Sequence, residues 1–156
     1  MSKSAEDRFG ERIIRNSYIG NNKYGIPSIK KEIIEGIEGA PLVSCKNMSK
    51  VEEDWGIHFF VDDKYLDRFY NDAEKDFYLF TFAKARFVLT PDFSVFPEMP
   101  LAVQCFNVFR NRYCGACWQD KNIHIIPTVG WADERSYDFT FLGIEKGSII
   151  ALSTKG

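Results

Sequence analysis

Phe87-Val88-Leu89-Thr90, running into Pro91-Asp92-Phe93-Ser94, is the stretch on which the fold turns. Three other apolar runs share its form, each with a polar tip. They are Ile57-His58-Phe59-Phe60-Val61 before Asp62-Asp63, and Ile123-His124-Ile125-Ile126-Pro127-Thr128 before Val129-Gly130-Trp131-Ala132-Asp133-Glu134. The last is Ser148-Ile149-Ile150-Ala151-Leu152 before Ser153-Thr154-Lys155-Gly156. Continuous β-branched and aromatic runs separated by helical patterns predict parallel strands buried on both faces. The runs begin at roughly thirty-residue intervals, the size of a βαβ unit. The expected fold is α/β: a single domain with a mainly parallel sheet of βα units, as an open sheet or partial barrel, with flanking helices.

The connecting segments carry helical periods. Leu66, Phe69, Tyr70, Ala73, Phe77 and Phe80 recur at three- and four-residue steps, an amphipathic pattern broken at Asn71-Asp72. A longer helix is expected from about Pro100 to Trp118, with proline in its first turn and Ala102, Phe106, Phe109 and Tyr113 as its stripe. Gly115 and Asn122 mark where it loosens and ends. Asp133–Phe141 reads as a short helix closed by Gly143, and Leu42-Val43-Ser44-Cys45 as a further short strand. Residues 1–23 are polar and are expected to form a loosely attached arm, with a short helix around Ala5–Arg15. Residues 24–156 form the α/β domain.

Size and charge narrow the function. A chain of 156 residues can bury roughly 70% of its unfolded surface as one domain. Its formal net charge of -2 supplies no global field for nucleic acid or an anionic membrane, though local basic patches are compatible with it. No apolar stretch approaches the ~20 residues that cross a bilayer, so no membrane partner is expected and a cytosolic protein is the default. There is no G-x-G-x-x-G, P-loop or nucleophile elbow, which disfavours dinucleotide cofactors, the usual NTP hydrolysis and esterase chemistry. Cys114-Gly-Ala-Cys117 has the spacing shared by zinc and thiol-redox sites. Without a second paired spacing, the ordinary reading is reduced cysteines in or near the core. His58 and His124 lie inside apolar runs and read as buried imidazoles.

Three polar sets follow from the strand polarity, because ligands of parallel sheets sit beyond the strands' carboxyl ends. The first is Asp62, Asp63, Asp92, Asp133 and Glu134. Converging carboxylates would hold a divalent metal cation or split their pKa values into an acid/base pair. Helix capping is the competing explanation for Asp63, Asp133 and Glu134. Asp92 stands apart, after a proline and several residues before the next helix. It is the foremost catalytic candidate, with Asp62 and Asp133 assisting. The second set, Gln104, Asn107, Arg110, Asn111 and Arg112, offers an arginine for a phosphate or carboxylate. The third, Ser94, Thr128, Trp131, Ser153 and Thr154, offers hydroxyls and one stacking surface.

Several segments together resemble the domain of unknown function 4417 family. They are 56–63, Thr90-Pro91-Asp92-Phe93-Ser94, Met99-Pro100-Leu101-Ala102, Phe109-Arg110-Asn111-Arg112, Trp118-Gln119, 126–131 and Gly147-Ser148. The resemblance runs from about Tyr24 to Gly156 and implies the fold class and a phage or mobile-element setting. It transfers no catalytic residues. Members of that family usually continue through a further helix and strand, and commonly carry an aromatic where Cys117 stands. Two functions are expected from this chain. One is an accessory protein binding a host or anti-phage-defence component, for example a CRISPR-type inhibitor. The other is a small enzyme or ligand-binding protein with a carboxylate-rich, metal-assisted site for a phosphate-bearing small molecule or nucleic acid. The ligand contacts would come from Arg110, Asn111, Thr128, Trp131 and Ser94. An exposed sheet edge over Ser148–Lys155 would favour a homodimer.

Overall fold

The computed structural model describes Ser4, Gly10 and residues 14–153. Most of the helix expected over Ala5–Arg15, and residues Thr154, Lys155 and Gly156, lie outside the described residues.

Four strands, β1 (Leu42–Ser44), β2 (Gly56–His58), β3 (Phe87–Leu89) and β4 (Ile125–Ile126), form one sheet in the order β1-β2-β3-β4. Every pairing is parallel, with Val43 beside Ile57, Ile57 beside Val88, and Val88 beside Ile125. The α/β architecture and strand polarity expected from the apolar runs are therefore present. The strands are shorter than those runs. Proline explains two of the boundaries, because Pro91 and Pro127 have no N–H to give a neighbouring strand.

The fourth apolar run, Ser148–Leu152, is not a strand. It contributes a single parallel bridge, Ala151 to Thr128. Ala151 donates its N–H to Pro127 O and accepts from Val129 N–H, both at 2.9 Å. With β4 already stopped at Pro127, no longer ladder is offered to that run. Leu42–Ser44 takes the fourth place instead, at the opposite edge.

Helices α1 (Asp67–Asn71), α2 (Asp76–Phe82) and α3 (Leu101–Asp120) lie in the connections between strands, and α4 (Tyr137–Thr140) follows β4. The break between α1 and α2 falls where Asn71-Asp72 predicts it. Helix α3 runs through Gly115 without loosening, and the glycine serves close packing instead. A Cβ there would lie 2.4 Å from Ile29 Cδ1 and 2.8 Å from Thr90 Cγ2. Asn122 does end the segment, with φ 62, the left-handed geometry that closes many helices.

One face of the sheet is covered by α1, α2 and α3. Ile57, Phe59, Val88 and Ile125 meet Leu66, Phe69, Phe82 and Trp118 in the main core. Phe82 and Trp118 meet edge-on at 4.6 Å between ring centroids, and Trp118 Nε1 donates to Ala73 O at 2.9 Å. The other face presents Phe87, Leu89 and Ile126, covered by Ile34, Ile37, Ala40, Phe60, Ile149 and Ala151 from irregular segments rather than helices. The polar N-terminal stretch closes onto the α side near its end. Arg15 is buried, donates to Tyr70 O at 2.9 Å and lies over the Tyr70 and Tyr113 rings.

Candidate functional site

The loop after β3 and the loop after β4 stand next to each other, as parallel neighbours must. Between them opens a cleft of about 420 Å³, walled by Phe96, Pro97, Val129, Trp131 and Leu152, with Asp92 and Ser94 also in its lining. Trp131 is 46% exposed and tilts toward Phe141, which in turn faces Tyr137. Large aromatic side chains left half in water around one concavity are the surface signature of a binding site.

The loop 91–99 is held by the helix behind it. Gln104, Asn107 and Asn111, at helical spacing on α3, turn inward and are all buried. Gln104 Nε2 donates to Met99 O at 2.8 Å, Asn107 Nδ2 to Ser94 O at 2.6 Å, and Asn111 Nδ2 to Pro91 O at 2.8 Å. Primary amides suit this task because each both donates and accepts without carrying a charge. Asn111 extends the clamp to β4, donating also to Thr128 O at 3.0 Å and accepting from Thr90 Oγ1 at 2.9 Å. The Thr128 N–H donates to Thr90 Oγ1 at 2.8 Å, which locks the tips of β3 and β4 in register. The polar face expected to meet a ligand is thus the scaffold of the cleft wall.

Arg112 supports the same junction. It is fully buried and donates to Leu142 O, Thr140 O, Thr128 O and Asn111 Oδ1 at 2.6–3.3 Å. None of these acceptors is a carboxylate, and burial alone pulls its guanidinium down to about 10, so it stays charged at neutral pH.

The carboxylates do not converge. Asp133 caps the turn before α4, accepting from Arg135 N–H at 3.0 Å and pairing with its guanidinium at 2.8 Å. That hydrogen bonding holds Asp133 below the usual carboxylate range. Asp62 is exposed at the head of the turn Asp63–Tyr65. Asp63 accepts from Ser94 Oγ at 2.7 Å and Ser94 N–H at 3.1 Å. Asp92 alone of the three catalytic candidates lines the cleft. Among the described residues no donor reaches its carboxylate, and burial, seconded by the charge of Asp63, pushes it up to about 6.

The ligand candidates divide similarly. Ser94 and Trp131 line the cleft, while Asn111 and Thr128 lie beneath it. Arg110 is spent elsewhere: it pairs with Asp67 at 2.8 Å, donates to Asn107 Oδ1 at 2.7 Å and lies 3.9 Å over the Phe93 ring. Among the described residues no lysine or arginine lines the cleft. No three His, Cys, Asp or Glu side chains among the described residues are grouped to hold a metal ion. The cysteine pair is buried on α3, where desolvation raises both thiols, Cys117 to about 11. His124, expected inside a strand, precedes β4 and turns to solvent beside Glu32, 3.5 Å away. His58 is half-buried, and burial lowers its pKa. No helix of the described residues is long and apolar enough to cross a membrane.

The signal that sequence reasoning missed is Asp63 in place of Asp62 as the carboxylate whose charge acts on Asp92. Its position one residue further along the turn aims it at Ser94.

Comparison with known proteins agrees with this architecture's phage setting. The "Gene 1 protein" of Mycobacterium phage L5 is 42% identical over 100 residues, covering 64% of this chain and 43% of that protein. The "Gene 1 protein" of Mycobacterium phage D29 is 39% identical over 100 residues, covering 64% of this chain and 36% of that protein. The matched region is thus less than half the length of either relative. No solved structure matches the chain. The family pattern described as Domain of unknown function (DUF4417) matches residues 18–156, and the chain belongs to that family.

Proposed function

We propose that this is a phage accessory protein that binds a host or anti-phage-defence protein through the cleft at the carboxyl ends of β3 and β4. One observation carries the reading: among the described residues, a half-buried carboxyl, Asp92, lies without a donor in an aromatic-walled cleft that no lysine or arginine lines. A buried carboxylate without a partner is costly, and a ligand bringing a donor or a positive charge would remove that cost. Trp131 and Phe96 offer ring faces for such a cation, and exposed tryptophans are typical anchors of protein interfaces. The bound group would be a cationic side chain of the partner. A cytoplasmic place in the infected cell belongs to the same reading.

The test is photo-cross-linking in host cells from a reactive residue placed at Phe96, with the same residue at Phe80 as control. Both positions are exposed, but Phe80 lies on α2 outside the cleft. A protein captured only from position 96, and lost on Trp131→Ala or Asp92→Asn, is the expected result. Capture unaffected by both substitutions sinks the reading.

The second reading, a metal-assisted site for a phosphate-bearing ligand, draws on the charge of Asp63 beside Asp92. It would need a cation to offset the acid lining, and its test is thermal melting with Mg²⁺, Mn²⁺ and a nucleotide panel. A ligand at ~100 times its dissociation constant adds about 2.7 kcal/mol of stability; no shift with any of them removes it.

A further inference from the structure

The run Ser148–Leu152 has a side that the sheet does not use. Its bridge to Thr128 spends the N–H and C=O of Ala151, which face Pro127 and Val129. Along an extended chain, successive residues turn their backbone groups to opposite sides. The N–H and C=O of Ile150 and Leu152 therefore point away from β4, and among the described residues nothing pairs with them. The run lies beyond β4, so this unused side is the outer edge of the sheet there.

Natural sheet edges are protected by charge, by proline or by a covering element. Gly147–Ser153 carries no charged side chain and no proline. Ile150 is 43% and Leu152 48% exposed, and both line a groove of about 250 Å³ whose walls include Leu42, Phe60, Phe87 and Ile126. Only apolar side chains line it among the described residues. Free backbone groups at an edge suit an extended chain, and an apolar groove beside them suits apolar side chains on that chain. The run Ile149–Leu152 of a second copy is itself such a chain, with the same groups unpaired. With no charge on either side, the two edges meet without repulsion.

We propose that this edge pairs with the same edge of a second copy across a two-fold axis. Such an axis makes the paired runs antiparallel and their contacts reciprocal. With Ala151 opposite Ala151 at the axis, Ile150 of each copy faces Leu152 of the other. Each N–H of those two residues then meets a C=O of the other copy, and no group of the joint is left over. The small alanine side chains let the two backbones approach at the axis. Leu152 also walls the cleft, so Ile150 of the second copy borders that wall and extends it. The inference does not rest on the cleft reading, which concerns a different partner.

Sedimentation of the intact chain over a dilution series is expected to show a monomer–dimer equilibrium. Ile150→Lys should weaken association at least about tenfold, because a lysine at the edge opposes apolar pairing and repels its counterpart. Disulfide trapping reads the register. A mixture of Ile150→Cys and Leu152→Cys chains should cross-link, since opposed residues of an antiparallel pair stand about 5.5 Å apart, within disulfide reach. Ile150→Cys alone should cross-link far less, its counterpart lying a diagonal step of about 7–8 Å away. A monomer at every concentration overturns the pairing and leaves the edge to a strand of another protein. Growth beyond the dimer overturns it too, because head-to-tail contacts extend without closing. A dimer that survives Ile150→Lys and is not trapped by the mixed cysteines forms elsewhere on the molecule, and equally overturns it. Should Ile150→Lys lower the stability of the fold, the trapping result decides. Capture of a host protein from position 96 is scored separately, so either proposal can fail alone.

Discussion

At the scale of single residues, Asp92 shows how a short stretch of chain can isolate one charge. Pro91 ends the ladder of β3, and the clamp from Asn111 to Pro91 O and from Asn107 to Ser94 O fixes the backbone on either side of Asp92. The carboxyl is left half-buried, with the charge of Asp63 acting on it and the buried Arg112 lining the space beneath it. Its folded pKa, about 6, lies above the ~3.9 of an unfolded chain. The native state therefore binds this proton more tightly than the unfolded state does. The stability tied to it is fully present below about pH 4, falls as pH rises through about 4–6, and stays lost above that. Asp133 and Asp138 are shifted the other way, by Arg135 and by Lys23 with Tyr24, so the raw pH curve mixes opposite contributions. The difference between the parent and Asp92→Asn isolates Asp92. Denaturant melts should find the variant more stable by about 1–2 kcal/mol at pH 7.5, with a difference that shrinks toward pH 4. A variant less stable at pH 7.5 would mean that the ionised carboxylate has a partner in the native state. Asp92 was legible in the sequence because it follows proline and stands several residues before the next helix, so capping had no claim on it. Asp133 sits where a cap belongs, and the helix end took it.

At the scale of elements, α3 does two jobs on two sides. One side packs Cys114, Cys117 and Trp118 into the main core, while Gln104, Asn107 and Asn111 read the carbonyls of the loop that forms the cleft wall. The spacing of those amides was visible in the sequence, but their target was not. An amide stripe has the same period whether it meets water, a ligand or a loop, and only the fold brings 91–99 across it. Two substitutions separate local from global dependence. Asn107→Ala removes the bond to Ser94 O and should speed amide exchange at Ser94 while leaving Ile57 and Val88 protected, at a cost of about 1–2 kcal/mol. Asn111→Ala removes four buried bonds at once, to Pro91 O, Thr128 O, Thr90 Oγ1 and the Arg112 guanidinium, and should cost about 3 kcal/mol or more of global stability in denaturant melts. Equal losses from the two would show that the loop and the strand junction open as one unit. The strands illustrate the opposite error. Ser148–Leu152 has the composition of a strand, yet it makes one bridge, because Pro127 cuts short the partner it needed.

At the scale of the whole molecule, strands of two or three residues offer few ladder hydrogen bonds, so the domain must be held by side-chain burial. The main core joins Val43 of β1, Phe69 and Tyr70 of α1, Tyr78 and Phe82 of α2, and the second half of α3 into one cluster that contains Cys45, Cys114 and Cys117. Core packing of this kind couples distant parts of the chain, since no element can leave without exposing the faces of the others. Cys105 lies outside it, half-buried on α3 beside the smaller cluster of Ile26, Val108 and Phe139. Burial raises the pKa of all four thiols, so labelling of the three core cysteines requires opening, after which their reactivity becomes ordinary. Thiol labelling followed by mass spectrometry should therefore find Cys45 and Cys117 reacting at one common rate with one common denaturant dependence, although 72 positions separate them in the chain. Cys105 should react earlier and with a weaker dependence. If Cys45 labels well ahead of Cys117, β1 detaches on its own, and the four-stranded sheet is an edge strand resting on a three-stranded core.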